Sequence, residues 1–231
     1  MASGSLHPAS KIRGFFASIA HRYDLANHLL SGGLDFLWRK WAARRISMER
    51  PRRILDLATG SGDLAVVLSR ECPNATVVGA DFCLPMLRVA KEKTTGALIG
   101  ADALRLPFAP GSFDAATVAF GLRNMVSWHG VLEEVQRVLR PGGTFLILDF
   151  ALPDGWFGWI YRSYLHHVLP RIARLVTGES AAYEYLGDSI EKFPQGREMK
   201  EVLAAAKFAE ISQKRLTGGI VAIYTGRKPA E

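Results

Sequence analysis

Cysteine is scarce in this 231-residue chain. Cys72 and Cys83 are its only two, and they form no Cys-x-x-Cys pair. A disulfide framework and a cysteine zinc site are thereby excluded, and a reducing cytoplasm is the expected compartment. Long apolar runs are lacking as well: no stretch approaches the roughly 18–20 apolar residues of a membrane span. The opening MASGSLHPASKIRGFF has no apolar core of the kind a secretory signal carries. The 6 histidines fall in no HxxxH or HExxH spacing, so no metal is expected. Internal repeats and low-complexity segments are absent. Acidic residues are the minority, 22 against 29 Lys and Arg, giving a net charge of +7. Such a balance suits anionic lipid, an acidic substrate or nucleic acid. The basic clusters are short, however, and neither a zinc knuckle nor an RNA-recognition aromatic motif accompanies them, so no nucleic-acid partner is expected.

What is present is globular. Hydrophobic residues make up 48% and charged residues 22%, which suits one domain with one sizeable core. Residues 11–46 read as helices broken at Ser31-Gly32-Gly33, with Phe16, Ile19, Ala20 and Tyr23 at helical spacing. The rhythm then changes. Strand-like runs at 53–57, 76–81, 97–100, 113–120 and 144–150 alternate with helical stretches at 62–71, 84–93 and 129–139. Alternation of this kind predicts an α/β fold with a doubly wound, mostly parallel sheet. A helical insert follows over about 155–177, then a helix over about 196–206. Two last runs, 209–215 and 220–226, flank the turn-like LTGG and predict an antiparallel hairpin that closes the sheet. The parts of the single domain are a helical lid (1–48), a nucleotide-binding core (49–150), the insert (151–195) and the closing helix and hairpin (196–231).

The segment ILDLATGSGDLA, Ile54 to Ala65, concentrates the chemistry. Ligands of open parallel sheets bind beyond the carboxyl ends of the strands, and Gly60, Ser61 and Gly62 stand at the first such end. The pattern Gly-x-Gly-x-x-Ala is by itself a weak dinucleotide signal. Asp56 precedes the loop and Asp63 opens the next helix, where a pyrophosphate would be repelled and a cationic or zwitterionic ligand would not. Asp81 ends the second strand, nineteen positions after Gly62, where an acid can accept both ribose hydroxyls. Asp102 follows the third strand, placed for an adenine amino group. A helix cap for Asp81 and a turn for Asp102 are the plain structural alternatives. Acids at successive strand ends favour a nucleoside.

These segments, with SFDAATVAFGLRN and RVLRPGG, resemble the ubiquinone/menaquinone biosynthesis C-methyltransferases, along residues 12 to 228. Tyr23, Asp24, Asn27, Ser31 and Trp38 match that family's lid segment, whereas Asp35 stands in place of its histidine. Near the fifth strand Asp149 stands for glutamate and Ala151 for serine. Lys207 takes a helix-end position where glycine is usual. The resemblance implies a class I methyltransferase, Rossmann-like fold with N-terminal lid helices and S-adenosylmethionine as methyl donor. It also implies a polyprenylated hydroquinone as acceptor, with Ser61, Asp81, Asp102 and Ala103 as cofactor contacts. The acids make Asp56, Gly60 and Gly62 further members of that cofactor set. The family often has a serine where this chain has Ala119.

Carbon methylation of such a ring needs phenolate character. Arg123, after the fourth strand, is the expected electrostatic stabiliser. Asn124 either orients Arg123 or caps the next helix, and Tyr23 either contacts the ring hydroxyl or is a core tyrosine. In the insert, Trp156, Phe157, Trp159, Tyr161 and Tyr164 mingle with Arg162, Arg171 and Arg174. That mixture suits a membrane surface, contacted peripherally through 156–176, or the wall of an acceptor tunnel. A homo-oligomer is compatible with the sequence, which does not choose between menaquinone and ubiquinone precursors. The rival readings are a phospholipid headgroup N-methyltransferase, a nicotinamide-dependent oxidoreductase and a non-catalytic lipid-binding module.

Overall fold

A computed structural model describes residues 31–168, 171 and 181–230, with only the backbone for 181–185. The first part of the expected lid, including Tyr23, lies outside the described residues. From Leu34 the chain forms α1 (Leu34–Ser47), β1 (Arg53–Leu57), α2 (Asp63–Glu71), β2 (Thr76–Asp81), α3 (Leu84–Lys93), β3 (Ala97–Gly100) and β4 (Phe113–Ala119). It continues as α4 (Trp128–Val138), β5 (Leu139–Phe150), α5 (Gly155–Ser163), α6 (Ala181–Lys192), α7 (Arg197–Ala205), β6 (Ala209–Leu216) and β7 (Val221–Arg227).

The seven strands form one sheet in the order β3-β2-β1-β4-β5-β7-β6. β1 pairs in parallel with both β2 and β4, and β4 with β5. β7 is antiparallel to β5 and to β6. The expected closing hairpin is therefore present, turning through Thr217–Gly219. Strand order reverses at β1 and β4, which opens a crevice at their carboxyl ends.

Both faces of the sheet are covered. Ile54 and Leu55 are each 0% exposed although adjacent strand residues point to opposite faces. Leu55 and Leu57 pack with Leu132, Val135 and Phe145 in one core cluster. Ile54 packs with Trp38, Ala42, Ala43, Leu64 and Leu68 in the other. The alanines of α1 let it approach α2 closely. Asp56 shares the face of Ile54, so α1 lies over the same side of β1 as the buried acid.

Three elements differ from the sequence reading. β5 begins at Leu139, ahead of the expected 144, because Leu139 pairs with Phe113 across a register shift. The insert does not run on as one α-helix: α5 ends at Ser163 and Tyr164–Val168 forms a π turn. α6 lies beyond the 155–177 run but within the 151–195 helical insert; Gly187 and Ser189 blunt its periodicity, yet Ile190 is 1% exposed. Lys207 does occupy a left-handed helix end, at φ 64°. Among the described residues no helix is long and apolar enough to cross a membrane.

Candidate active site

A cavity of about 800 Å³ opens over the carboxyl ends of β1, β2 and β4. Its floor begins where β1 ends. Ala58 (φ 51°), Gly60 (φ 55°) and Gly62 (φ 84°) turn the chain back sharply into α2. Gly62 is required twice over: its φ favours glycine, and a Cβ there would lie 3.0 Å from Cβ of Ala90 on α3. Gly60 and Ser61 line the cavity, and Gly62 does not. Gly62 contributes the turn and the seating of α2 against α3.

Asp56 is buried beneath this loop. Its Oδ2 accepts from Thr59 Oγ1 at 2.6 Å and its Oδ1 from Thr117 Oγ1 at 2.8 Å. Burial pushes its carboxyl up to about 6, against the pull of the two hydroxyls and of Arg39. It thus braces the loop to β4 and presents negative charge from below. Asp81 accepts from Gly60 N through Oδ2 and from Cys83 N through Oδ1, each at 2.8 Å. Burial raises its pKa, and these backbone donors oppose that. A carboxylate has about four lone-pair sites, so Asp81 can shape the loop and still accept from a ribose. Asp102 accepts from Leu104 N at 2.9 Å, the turn alternative, and it lines the cavity beside Ala103. The turn leaves the Asp102 side chain at the cavity wall.

Asp63 does not act as the sequence argument held. Its carboxylate meets Lys93 Nζ at 2.7 Å and Arg39 Nη2 at 3.5 Å. Two cations offset it, so repulsion of a pyrophosphate is weaker than expected from sequence.

Arg123 sits in the short turn Leu122–Asn124 after β4 and lines the cavity. It is buried, and its Nη1 donates to Phe120 O at 2.7 Å and to Asp149 Oδ1 at 2.5 Å. Its guanidinium lies over the Phe150 ring, 5.2 Å from the centroid. The sequence offers Asn124 as the residue that orients Arg123; the structure adds a buried acidic partner, Asp149. Asp149, at the end of β5, is pushed up by burial and held down by Arg123. Arg123 Nε and Asp149 Oδ2 are buried without a hydrogen-bond partner among the described residues. Asn124 Nδ2 faces Phe120 O at 3.4 Å, sharing the carbonyl that holds Arg123. It does not cap α4. Ser127 does, accepting from Gly130 N at 3.2 Å, because Ser127 is the residue immediately preceding that helix.

Beyond Arg123 the cavity changes character. Phe150, Phe157, Ile160, Tyr161, Tyr164 and Ile190 wall it. Tyr161 is buried, its hydroxyl pushed well above the usual phenol range by desolvation and by Tyr164, with Arg123 pulling the other way. Trp156 and Trp159 point outward, 77% and 75% exposed. The two readings of the insert therefore fall on different faces of α5.

Thr59, Thr117 and Arg39 are not singled out by the sequence, and the partners of Asp35 and Asp149 are not apparent from it. A charge inside the apolar run FLILDF was available as a signal for Asp149, and the i, i+4 spacing of Asp35 and Arg39 as a signal for their pairing. No group of three metal-ligating side chains occurs among the described residues.

Comparison with known proteins places the chain in a family. The chain is 46% identical over 220 residues to the demethylmenaquinone methyltransferase of Thermus thermophilus, covering 93% of this chain and 100% of that protein. It is 43% identical to the ubiquinone/menaquinone biosynthesis C-methyltransferase UbiE of Syntrophotalea carbinolica, covering 95% and 94%. A crystal structure of a SAM-dependent methyltransferase from Thermotoga maritima superposes with a TM-score of 0.67 at 16% identity, over 92% of this chain and 97% of that one, which shows the shared fold. The model of the ubiE/COQ5 methyltransferase family matches residues 6–228, and the chain belongs to that family of S-adenosylmethionine-dependent methyltransferases.

Proposed function

We propose that this chain methylates a ring carbon of a polyprenylated hydroquinone, with demethylmenaquinol as the acceptor that the names of its relatives favour. One observation carries the reading. A single cavity has acids at successive strand ends on one side, an aromatic and aliphatic wall on the other, and Arg123 with Asp149 between them. S-adenosylmethionine supplies an electrophilic methyl whose leaving group is a neutral thioether. Asp81 and Asp102 would hold the adenosine, with Gly60, Ser61 and Ala103 against it, and Asp56 would supply negative charge beneath the amino acid portion. The aromatic wall holds the ring in line, and positioning of that kind is worth up to roughly 7–11 kcal/mol.

The acceptor carbon becomes nucleophilic as the neighbouring hydroxyl ionises, from a phenol-like pKa of about 10. Arg123 presents its guanidinium to that hydroxyl directly or through water. Tyr23, which lies outside the described residues, is proposed to contact the same hydroxyl. In the net change one ring C–H becomes C–CH₃ and one proton leaves. A phospholipid headgroup acceptor fits this wall less well, since among the described residues no carboxylate accompanies the aromatic residues of α5 and the aliphatic Leu186 and Ile190 of α6 that line it. A nicotinamide reading conflicts with the antiparallel closing hairpin. The quinone profile of cells lacking the protein tests the assignment. Accumulation of a demethylated quinone is expected, and an unchanged profile would refute it.

The exposed Trp156 and Trp159 extend the reading to peripheral membrane contact, through which a membrane-dwelling tail reaches the cavity past Phe157 and Ile160. Sedimentation with anionic vesicles should fall for Trp156→Ala/Trp159→Ala while turnover of a short-tailed acceptor stays within about 3-fold, because the indoles lie outside the cavity.

A further inference from the structure

We infer that Arg39 binds the α-carboxylate of the methyl donor, an assignment that rests on the proposed function. The order of strands fixes where each part of the donor lies. Asp102, Asp81 and Asp56 end or follow β3, β2 and β1, which are neighbours in that order. An adenosine lying over β3 and β2 brings its amino acid portion over β1, and the methyl toward β4 and Arg123. The carboxylate therefore needs a cation beside β1.

Among the described residues that line the cavity, the cationic side chains are Arg39 and Arg123. Arg123 is excluded by position: it lies past β4, paired with Asp149 and near Tyr161. Arg39 lies where the carboxylate falls. Its guanidinium is 5.6 Å from the Phe120 ring centroid, and it is close enough to Asp56 to favour that acid's ionised form. α1 delivers it there because Trp38, Ala42 and Ala43 pack on the face of β1 that carries Asp56.

Arg39 is held as a ligand-binding arginine should be. It is 7% exposed, so its charge is little screened by water. Nη1 donates to Asp35 Oδ2, and Asp35 in turn accepts from Ser31 Oγ at 2.8 Å. Nη2 faces Asp63 Oδ2 at 3.5 Å, longer than a good N–H···O bond, whereas Lys93 holds Asp63 at 2.7 Å. The Nη2 contact can therefore pass to a ligand carboxylate without leaving Asp63 unpaired. Asp35, one of this chain's departures from its family, acquires a role as the residue that orients Arg39.

Calorimetry with S-adenosylmethionine and with decarboxylated S-adenosylmethionine tests this on the full chain, Arg39→Met and Arg39→Lys. The unaltered protein should prefer the carboxylated donor by about 10–100-fold, the value of a charge-assisted hydrogen bond. Arg39→Met should lose most of that preference and bind the decarboxylated donor within about 3-fold of the original, and Arg39→Lys should recover part of the preference. Equal weakening toward both ligands would make Arg39 structural and overturn the inference. So would a starting protein with no preference, a result that does not depend on whether a variant folds. If the unaltered protein binds neither ligand, it is the proposed function that fails.

Discussion

The two ends of the cavity are built by different means. At the donor end, recognition is directional. Asp56, Asp81 and Asp102 project from or just beyond strand ends, and each is aimed by hydrogen bonds from neighbouring hydroxyl or backbone groups. At the acceptor end, α5, the π turn and α6 present rings and aliphatic chains, and the polar groups reduce to Arg123, Asn124 and the tyrosines. A small zwitterion with fixed donors and acceptors is suited by the first arrangement. A flat ring with a long apolar tail is suited by the second, where shape and desolvation do the selecting. Changes at the donor end should therefore act on affinity for the cofactor, and changes at the acceptor end on rate.

The largest effect should come where the two ends meet. Arg123→Ala is expected to lower turnover by about 10²–10³ with saturating donor, as loss of an oxyanion-type stabiliser does, and to leave donor affinity nearly unchanged. It also strands buried Asp149, at a cost of about 3–5 kcal/mol in unfolding free energy. Arg123→Met/Asp149→Leu should regain stability in denaturant melts without regaining turnover. Weak donor binding with normal saturated turnover would move Arg123 to the other end.

Asp81→Ala should show the opposite pattern, a loss of one to two orders of magnitude in donor affinity from a missing charged partner of about 1.5–3 kcal/mol. Saturated turnover should change far less. Calorimetry paired with single-turnover rates separates the two.

Asp56 sharpens the donor side through pH. Its folded pKa, about 6, lies above the unfolded value near 3.8, so the folded state binds the proton more tightly. The stability that it contributes is fully present below about pH 4 and is lost as pH rises through 6. The protein without donor should therefore lose up to about 3 kcal/mol across that interval relative to Asp56→Asn. Urea melts of the two at pH 4, 5, 6 and 7 provide the check.

Lys207 belongs to neither end and serves as the control. At φ 64° a lysine is strained where glycine is not, so Lys207→Gly should stabilise by about 0.5–1 kcal/mol, with both donor affinity and turnover unchanged.

The donor end was the more legible in sequence, and the reason is local. Asp56, Gly60, Gly62 and Asp81 lie close to strand–helix junctions, which hydrophobic rhythm and glycine mark within a few residues. Lys207 was legible for the same reason. The acceptor end is assembled from residues far apart in the chain: Arg123 meets Asp149 across 26 positions because β4 and β5 are neighbours, and no spacing rule announces that. Asp63 misled because its partners, Lys93 and Arg39, come from other helices. The bounds of α6 are not legible because its apolar face becomes apparent only where Leu186 and Ile190 meet Tyr161 and Leu165.

In the proposed reaction one cavity brings an activated methyl to the carbon of a reduced ring. Methyl transfer to a demethylnaphthoquinone analogue, followed anaerobically with and without dithionite and with the product mapped by mass spectrometry, tests it most directly. A carbon-methylated product is expected only from the reduced ring, at a rate that rises with pH through an apparent pKa below the phenol reference of about 10. Equal rates on the oxidised ring, or a methyl found on oxygen, would contradict it.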